Sequence, residues 1–398
     1  MLTGKRILIG IGGGIAVYRV AELVRLLIRQ GATVRCVMTR AAQQFVSPMT
    51  FEALSGEQVY TQLFDLTQER EMGHIRLARW ADVMLVAPAT ADLLTKSAHG
   101  IAEDLLGTIL QARRGAILMA PAMNAAMWES DATQRNIGIL CERGVRFVGP
   151  DAGELACGEE GMGRLSDPET LVEAIYHAAC PKPLAGQRWL VNAGPTFEDW
   201  DDIRYLGNRA SGRLGFCIAR AAAARGATVD LVAGPNTPAT PYAVTRHDVR
   251  SAADMLAACT SLSDGGDVFV ATAAVGDFRF GERHSGKLKR GDTDRMTVEL
   301  VANPDVVAQI ARLPNRPDRV VAFAAERERH VEHARQKLRD KGVDAIFAND
   351  ADRMGETDGG GWWICGEETL DIESMPKWQL AERLVELAMN MTYQTEQT

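Results

Sequence analysis

The chain has 398 residues, 46% hydrophobic and 24% charged, with a formal net charge of -8 at pH 7. That length allows two domains of ordinary size, each with its own core. The acidic balance argues against nucleic-acid or membrane-surface partners, which offer no cations to bind, and leaves small molecules as the expected ligands. The seven cysteines, at 36, 141, 157, 180, 217, 259 and 365, are odd in number, scattered and without a C-x-x-C pair, so neither a zinc site nor a disulfide framework is indicated. No apolar run reaches the roughly 18 residues of a membrane span, and "MLTGKRILIGIGGG" enters a strand without a small-residue cleavage site. The protein is therefore expected to be cytosolic.

In chain order, "KRILIGIG" predicts a strand, "AVYRVAELVRLLIRQG" a helix stopped by a glycine, and "ATVRCVMT" a second strand, which together make a β-α-β unit. "ADVMLVAPAT", "GAILMAPAMN" and "GVRFVGP" are short apolar runs ending in turn residues, as buried parallel strands do. "AACPKPLAGQ", with Pro181 and Pro183, predicts a linker over 181–187 between domains at 1–180 and 188–398. Beyond it "RWLVNAGPT", "RLGFCIARAAAARG" and "ATVDLVAGP" repeat the β-α-β order, with "RQGATV" and "ARGATV" at corresponding places. The predicted fold class is α/β, with two doubly wound, Rossmann-like parallel sheets whose ligands sit beyond the carboxyl ends of the strands.

At the first strand end, "GIGGGIA" places Gly12, Gly13 and Gly14 before a helix whose N-H groups and dipole would accept a phosphate; read alone, it is equally a tight turn without a ligand. A dinucleotide fingerprint would need glycine at Ile15 and an acidic residue where the second strand ends at Thr39, so an NAD-dependent oxidoreductase is disfavoured and a mononucleotide fits better. His74 in "EMGHIRLARWAD" is a catalyst or, as an isolated histidine more often is, an ordinary surface or core residue. The methionines of "PAMNAAMW" at 121–128 could fill core gaps at a helix start. Cys157 stands in "ACGEEGMGRL", where flanking glycines permit a moving lid.

Taken together, "GGGIA", "MGHI", "APATAD", "PAMNAAMW" and "ACGEEGMGR" closely resemble the flavin-dependent cysteine decarboxylases of coenzyme A synthesis. "AGPTFEDWDDIRYLGNRASGRLG", "AAVGDF", "GKLKR", "ANPDVV", "AFAAE" and "KLRDKGVDAIFAND" resemble the phosphopantothenate-cysteine ligases. Fused in this order, they resemble the bacterial bifunctional phosphopantothenoylcysteine decarboxylase / phosphopantothenate-cysteine ligase family over nearly the whole chain. The chain departs from that pattern at Gly12, usually Ser or Thr, which leaves only backbone donors for the phosphate. It departs also at Gly207, Ala210, Leu214 and Gly276.

For the first half the resemblance implies FMN, held by Gly12, Gly13, Gly14, Ile15, Thr39, Ala87, Pro88, Ala89 and Thr90. Direct loss of carbon dioxide from an N-acyl cysteine leaves a carbanion without an electron sink. Oxidising the substrate thiol to a thioaldehyde provides one, and the resulting enethiolate is then protonated and reduced. The resemblance makes His74 the base, Asn124 and Met123 the floor for the substrate carboxylate, and Cys157 the late proton donor. For the second half it implies an acyl-cytidylate made from CTP and 4'-phosphopantothenate, then displaced by the cysteine amine. Asn208 would handle that intermediate, and Lys287, Lys337 and Lys341 would neutralise phosphates. Asp277 would bind Mg²⁺, while Ala273, Ala274, Asn303, Pro304, Asp305, Val306 and Phe323 would form the nucleotide pocket. On spacing alone, Lys337 and Lys341 are a solvated helix face. A trimer-based dodecamer with paired ligase halves is the implied assembly. The competing class is a flavin-binding regulatory module without turnover, against which stands the joint presence of His74, Asn124 and Cys157.

Overall fold

The computed structural model describes residues 2–63, 73–156, 158–289, 295–326, 330–350 and 358–391. The chain divides into two compact units, Met1–Cys180 and Pro181–Thr398. In the first, β1 (Arg6–Ile11), β2 (Thr33–Met38), β3 (Val59–Tyr60), β4 (Val83–Ala89), β5 (Ala116–Pro121) and β6 (Arg146–Phe147) form one sheet in the order β3-β2-β1-β4-β5-β6. Every pairing in it is parallel. All of β4 is buried, which explains its unbroken apolar run. The helix Val17–Arg29 buries Val17, Val20, Leu23, Val24 and Leu27, the three-and-four spacing that gathers one stripe on one face.

Strand order reverses between β1 and β4, and a crevice opens beyond the carboxyl ends of these two strands. Gly12–Gly14 follow β1 and Thr90 follows β4. The two ends approach so closely that a Cβ on Gly12 would lie 2.3 Å from the Pro88 carbonyl oxygen; the larger residue usual there has no room on this backbone.

β7 (Asp151–Glu154) and β8 (Glu160–Arg164) make an antiparallel hairpin. Met123 N donates to the Gly163 carbonyl at 3.0 Å. Gly163 has φ +148°, and a Cβ there would meet Met123 O at 2.2 Å, so only glycine lets the hairpin lie against the "PAMN" segment. Cys157, between these strands in sequence, lies outside the described residues.

The second unit contains β9 (Arg188–Ala193), β10 (Phe197–Asp199), β11 (Tyr205–Gly207), β12 (Thr228–Ala233), β13 (Val244–Asp248), β14 (Val268–Ala271), β15 (Phe278–Phe280), β16 (Leu300–Ala302), β17 (Arg319–Glu326), β18 (Ala345–Asp350), β19 (Asp358–Cys365) and β20 (Glu368–Pro376). Its main sheet runs β13-β12-β9-β14-β17-β18-β19-β20. The first six strands are parallel, but β19 and β20 are antiparallel, whereas the sequence predicts a wholly parallel sheet. Only Gly366 and Glu367 separate β19 from β20, too few residues for the crossover that a parallel pair requires. Two small hairpins, β10-β11 and β15-β16, lie outside this sheet. Residues 181–187 pack on this unit: Leu184 is fully enclosed in its core, and Lys182 Nζ donates to the Ala224 carbonyl at 2.5 Å.

Two candidate active sites

In the first unit a cavity of about 1520 Å³ opens at the β1/β4 crevice. It brings together Gly13, Gly14, Ile15, Thr39, Thr90, Met123 and Asn124, with Leu155, Ala156 and Gly163 of the hairpin segment on one wall. Thr39 Oγ1 donates to the Ile11 carbonyl and accepts from Ala42 N, while Thr90 Oγ1 caps the next helix by accepting from Leu93 N. Both hydroxyls hold strand ends in place, so the backbone N-H groups of the glycine loop are the groups suited to a phosphate. Ala87, Pro88 and Ala89 are buried within β4 and, like Gly12, do not line the cavity.

His74 is the first residue of the helix His74–Trp80, whose Leu77 and Ala78 face the core. It is half-buried and not in this cavity. Arg19, Arg40, Lys96 and Arg164 do line it, and sequence reading missed them because a basic residue on a helix or loop looks like ordinary solvated surface. Arg19 donates to the Leu165 carbonyl at 2.9 Å and to Asp167 at 2.6 Å, and its guanidinium holds the Asp167 carboxyl below the usual range. Burial pushes the Cys36 and Cys259 thiols up to about 12, which leaves both inert at neutral pH.

In the second unit a cavity of about 580 Å³ lies beyond the carboxyl end of β14 and beside Phe323 and Ala324 of β17. The loop after β14 is pinned by polar side chains: Ala273 N donates to Asn192 Oδ1 at 3.0 Å, Gly276 N to Thr196 Oγ1 at 2.9 Å, and Asn303 Nδ2 to the Gly276 carbonyl at 2.9 Å. Asn208 Nδ2 donates to the carbonyls of Ala274 and Val275. This scaffold turns Ala273, Ala274 and Asp277 toward the cavity, which Asn208, Asn303, Pro304, Asp305, Val306, Phe323, Lys337 and Lys341 complete. Lys337 and Lys341 are thus cavity residues, not merely a solvated face. Lys341 pairs with Asp305 at 2.8 Å. Burial alone would raise the Asp305 carboxyl, but the Lys341 hydrogen bond and the N-H groups of Ala308 and Val307 outweigh it and hold the group low. Lys377 also lines the cavity and carried no sequence signal. Among the described residues no cluster of three or more His, Cys, Asp or Glu could hold a metal by itself.

Lys287 does not line this cavity, yet its neighbours are clamped. Asp201, 1% exposed, accepts from the N-H groups of Ile203 and Arg204 at 2.8 and 2.7 Å and from Leu288 N at 3.1 Å. Arg204 bonds the same carboxylate and donates to the Leu288 carbonyl at 2.8 Å. Gly286 N donates to Asp202 at 2.8 Å. The Arg204 guanidinium, joined by these N-H donors, overcomes burial and holds the Asp201 carboxyl well below the carboxylate range.

Such a depressed group stabilises the fold above its unfolded value of about 4, and that contribution fades as pH falls through its folded value. Asp201→Asn sets an amide N-H₂ or a weaker acceptor against Arg204, so its stability curve should converge on that of wild type as pH drops below about 4. If Lys287 neutralises a phosphate in ligation, as the resemblance implies, Asp201→Asn should also lower that reaction on the order of tenfold to a hundredfold by misplacing Lys287, with decarboxylation unchanged. Equilibrium unfolding across pH and separate assays of the two reactions check this. An unaltered ligation rate would remove the clamp from the account.

Residues 1–179 match the family described as Flavoprotein, and residues 184–391 match the one described as DNA/pantothenate metabolism flavoprotein C-terminal domain. The coenzyme A biosynthesis bifunctional protein CoaBC of Vibrio cholerae is 46% identical over 356 residues, 89% of each chain. The protein of the same name from Escherichia coli is 42% identical over 381 residues, 94% of each chain. A crystal structure of the C-terminal domain of a CoaBC protein is 31% identical, covering 52% of this chain and 96% of its own at a TM-score of 0.46. Among the described residues no helix is long and apolar enough to cross a membrane. With both families matched in sequence and relatives aligned across both units, the chain belongs to the coenzyme A biosynthesis bifunctional protein family.

Proposed function

We propose that the second unit joins 4'-phosphopantothenate to cysteine with CTP and Mg²⁺, and that the first decarboxylates the resulting phosphopantothenoylcysteine to 4'-phosphopantetheine with FMN, in the cytosol. The observation that carries this reading is the convergence of sequence-distant residues on two cavities, each at the carboxyl end of a central parallel strand. Relatives aligned over 89% to 94% of the chain are bifunctional enzymes, so a regulatory flavin module is not favoured.

The glycine loop and the basic rim fit a flavin mononucleotide and a phosphorylated substrate. FMN, when bound, supplies reversible two-electron chemistry at the substrate thiol. Asn124 binds the substrate carboxylate and orients it for departure, and Met123 supports the same floor. His74 takes the thiol proton. Because His74 lies outside the cavity of its own chain, a second copy is the partner that would bring one there. Ile15, Tyr18, Met49 and Ile75 are exposed apolar residues of this unit, and apolar surface of this kind suits a subunit contact.

In the second unit Lys337 and Lys341 neutralise phosphates, while Asp277 would hold Mg²⁺, a cation that needs few protein ligands and would supply further positive charge there. Asn208 holds the acyl intermediate. Ile203, Tyr205 and Leu206 of one hairpin and Phe278 and Leu300 of the other are exposed, which supports pairing of ligase units beside Lys287.

The test uses purified full-length protein. A yellow chromophore released on denaturation should be FMN, and adding CTP, Mg²⁺, cysteine and 4'-phosphopantothenate should yield CMP and then carbon dioxide. Colourless protein that also forms no CMP would refute the proposal.

A further inference from the structure

Asn124 caps the helix Ala125–Glu129 by accepting from Ala126 N through Oδ1 at 2.8 Å. That bond assigns the amide: Nδ2 is the atom left to meet an acceptor. Here it donates to Glu159 Oε2 at 2.7 Å. Glu159 belongs to the segment joining β7 to β8, and its carbonyl accepts from Leu155 N at 2.8 Å, which ties the side chain to the fold of that segment. The group found on the proposed carboxylate site is therefore itself a carboxylate.

We infer that Glu159 is an internal competitor for the substrate's carboxylate at Asn124; this rests on the reading of Asn124 as the residue that binds that carboxylate. Two carboxylates on one N-H₂ would lie within about 5 Å as like charges, so one excludes the other. Glu159 is solvent-exposed, so water weakens its contact with Asn124. An acidic substrate displaces it and weakens the hydrogen bond from Leu155 N to the Glu159 carbonyl. Once carbon dioxide has gone, the ligand no longer carries the competing group, and Glu159 returns. The Asn124–Glu159 contact thus responds to whether decarboxylation has taken place.

The experiment uses the full-length flavin-loaded protein and two unreactive probes: the serine analogue of phosphopantothenoylcysteine, with hydroxyl in place of thiol, and its counterpart lacking the carboxylate. By calorimetry, Glu159→Ala should lower Kd for the acid roughly two- to fivefold, the range of an exposed charged contact, and leave Kd for the carboxylate-free probe unchanged. Glu159→Gln, which keeps an acceptor without the charge, should give a smaller drop. In an Asn124→Ala background the Glu159→Ala effect should vanish. Hydrogen exchange at the Leu155 N-H should quicken with the acid and not with its counterpart. Equal shifts for both probes, or none for the acid while Asn124→Ala weakens it, would overturn the competition and leave the Asn124 reading standing. If Asn124→Ala leaves the acid's Kd unchanged, the underlying reading falls too.

Discussion

Lys287→Gln is expected to cut ligation at least about a hundredfold, the scale of losing one cation or donor aimed at developing charge, while decarboxylation continues at the wild-type rate. Joining a phosphorylated acid to CTP crowds negative charge into one place, and a cation there stabilises the transition state more than the separated substrates. Gln matches the length of the inner side chain and removes the charge. The clamp from Asp201, Asp202 and Arg204 onto Gly286 and Leu288 does not use the Lys287 side chain, so the backbone should stay in place. The residue belongs to the second unit, which is why the other reaction should be spared. CMP formation from CTP and carbon dioxide release from supplied phosphopantothenoylcysteine should be measured separately. Equal damage to both would point to misfolding and remove Lys287 from the ligase chemistry.

In the first unit, His74→Asn and Cys157→Ser should stop the reaction at different points, each lowering turnover about 10²- to 10⁴-fold, as expected for loss of a positioned acid or base. Without the base, the substrate thiol keeps its proton. The flavin should then stay oxidised, and no carbon dioxide should appear. With Ser at 157, oxidation and carbon dioxide release should proceed and the sequence should then stall, because an alcohol is a far weaker acid than an ordinary thiol of pKa about 8.5. Anaerobic spectra should show flavin remaining reduced, with a product two hydrogens short of phosphopantetheine by mass. Normal turnover in Cys157→Ser, or failure before flavin reduction, would mean that the thiol is not the late proton donor.

Local sequence determined the repeated β-α-β starts, the amphipathic helix Val17–Arg29 and the all-buried β4, because hydrophobic period and turn residues act over a few positions. It also marked part of each lining, including Gly13, Gly14, Thr39 and Asn124 in the first cavity and Asn208, Asp277 and Asn303 in the second. Tertiary structure decided what those residues meet. Strand order put Gly14 beside Thr90 and Asn208 beside Ala274, and it drew Arg19, Arg40 and Lys96 into the first cavity. It also left His74 and Lys287 out of the cavities of their own units. The Asp201 clamp spans 87 positions to Leu288, and the Asn124–Glu159 contact spans 35. The antiparallel β19-β20 edge followed from a two-residue connection, despite a composition that suited either direction. Contacts of such separation form only when packed elements bring their ends together, and a periodicity confined to one strand or helix carries no record of its neighbour.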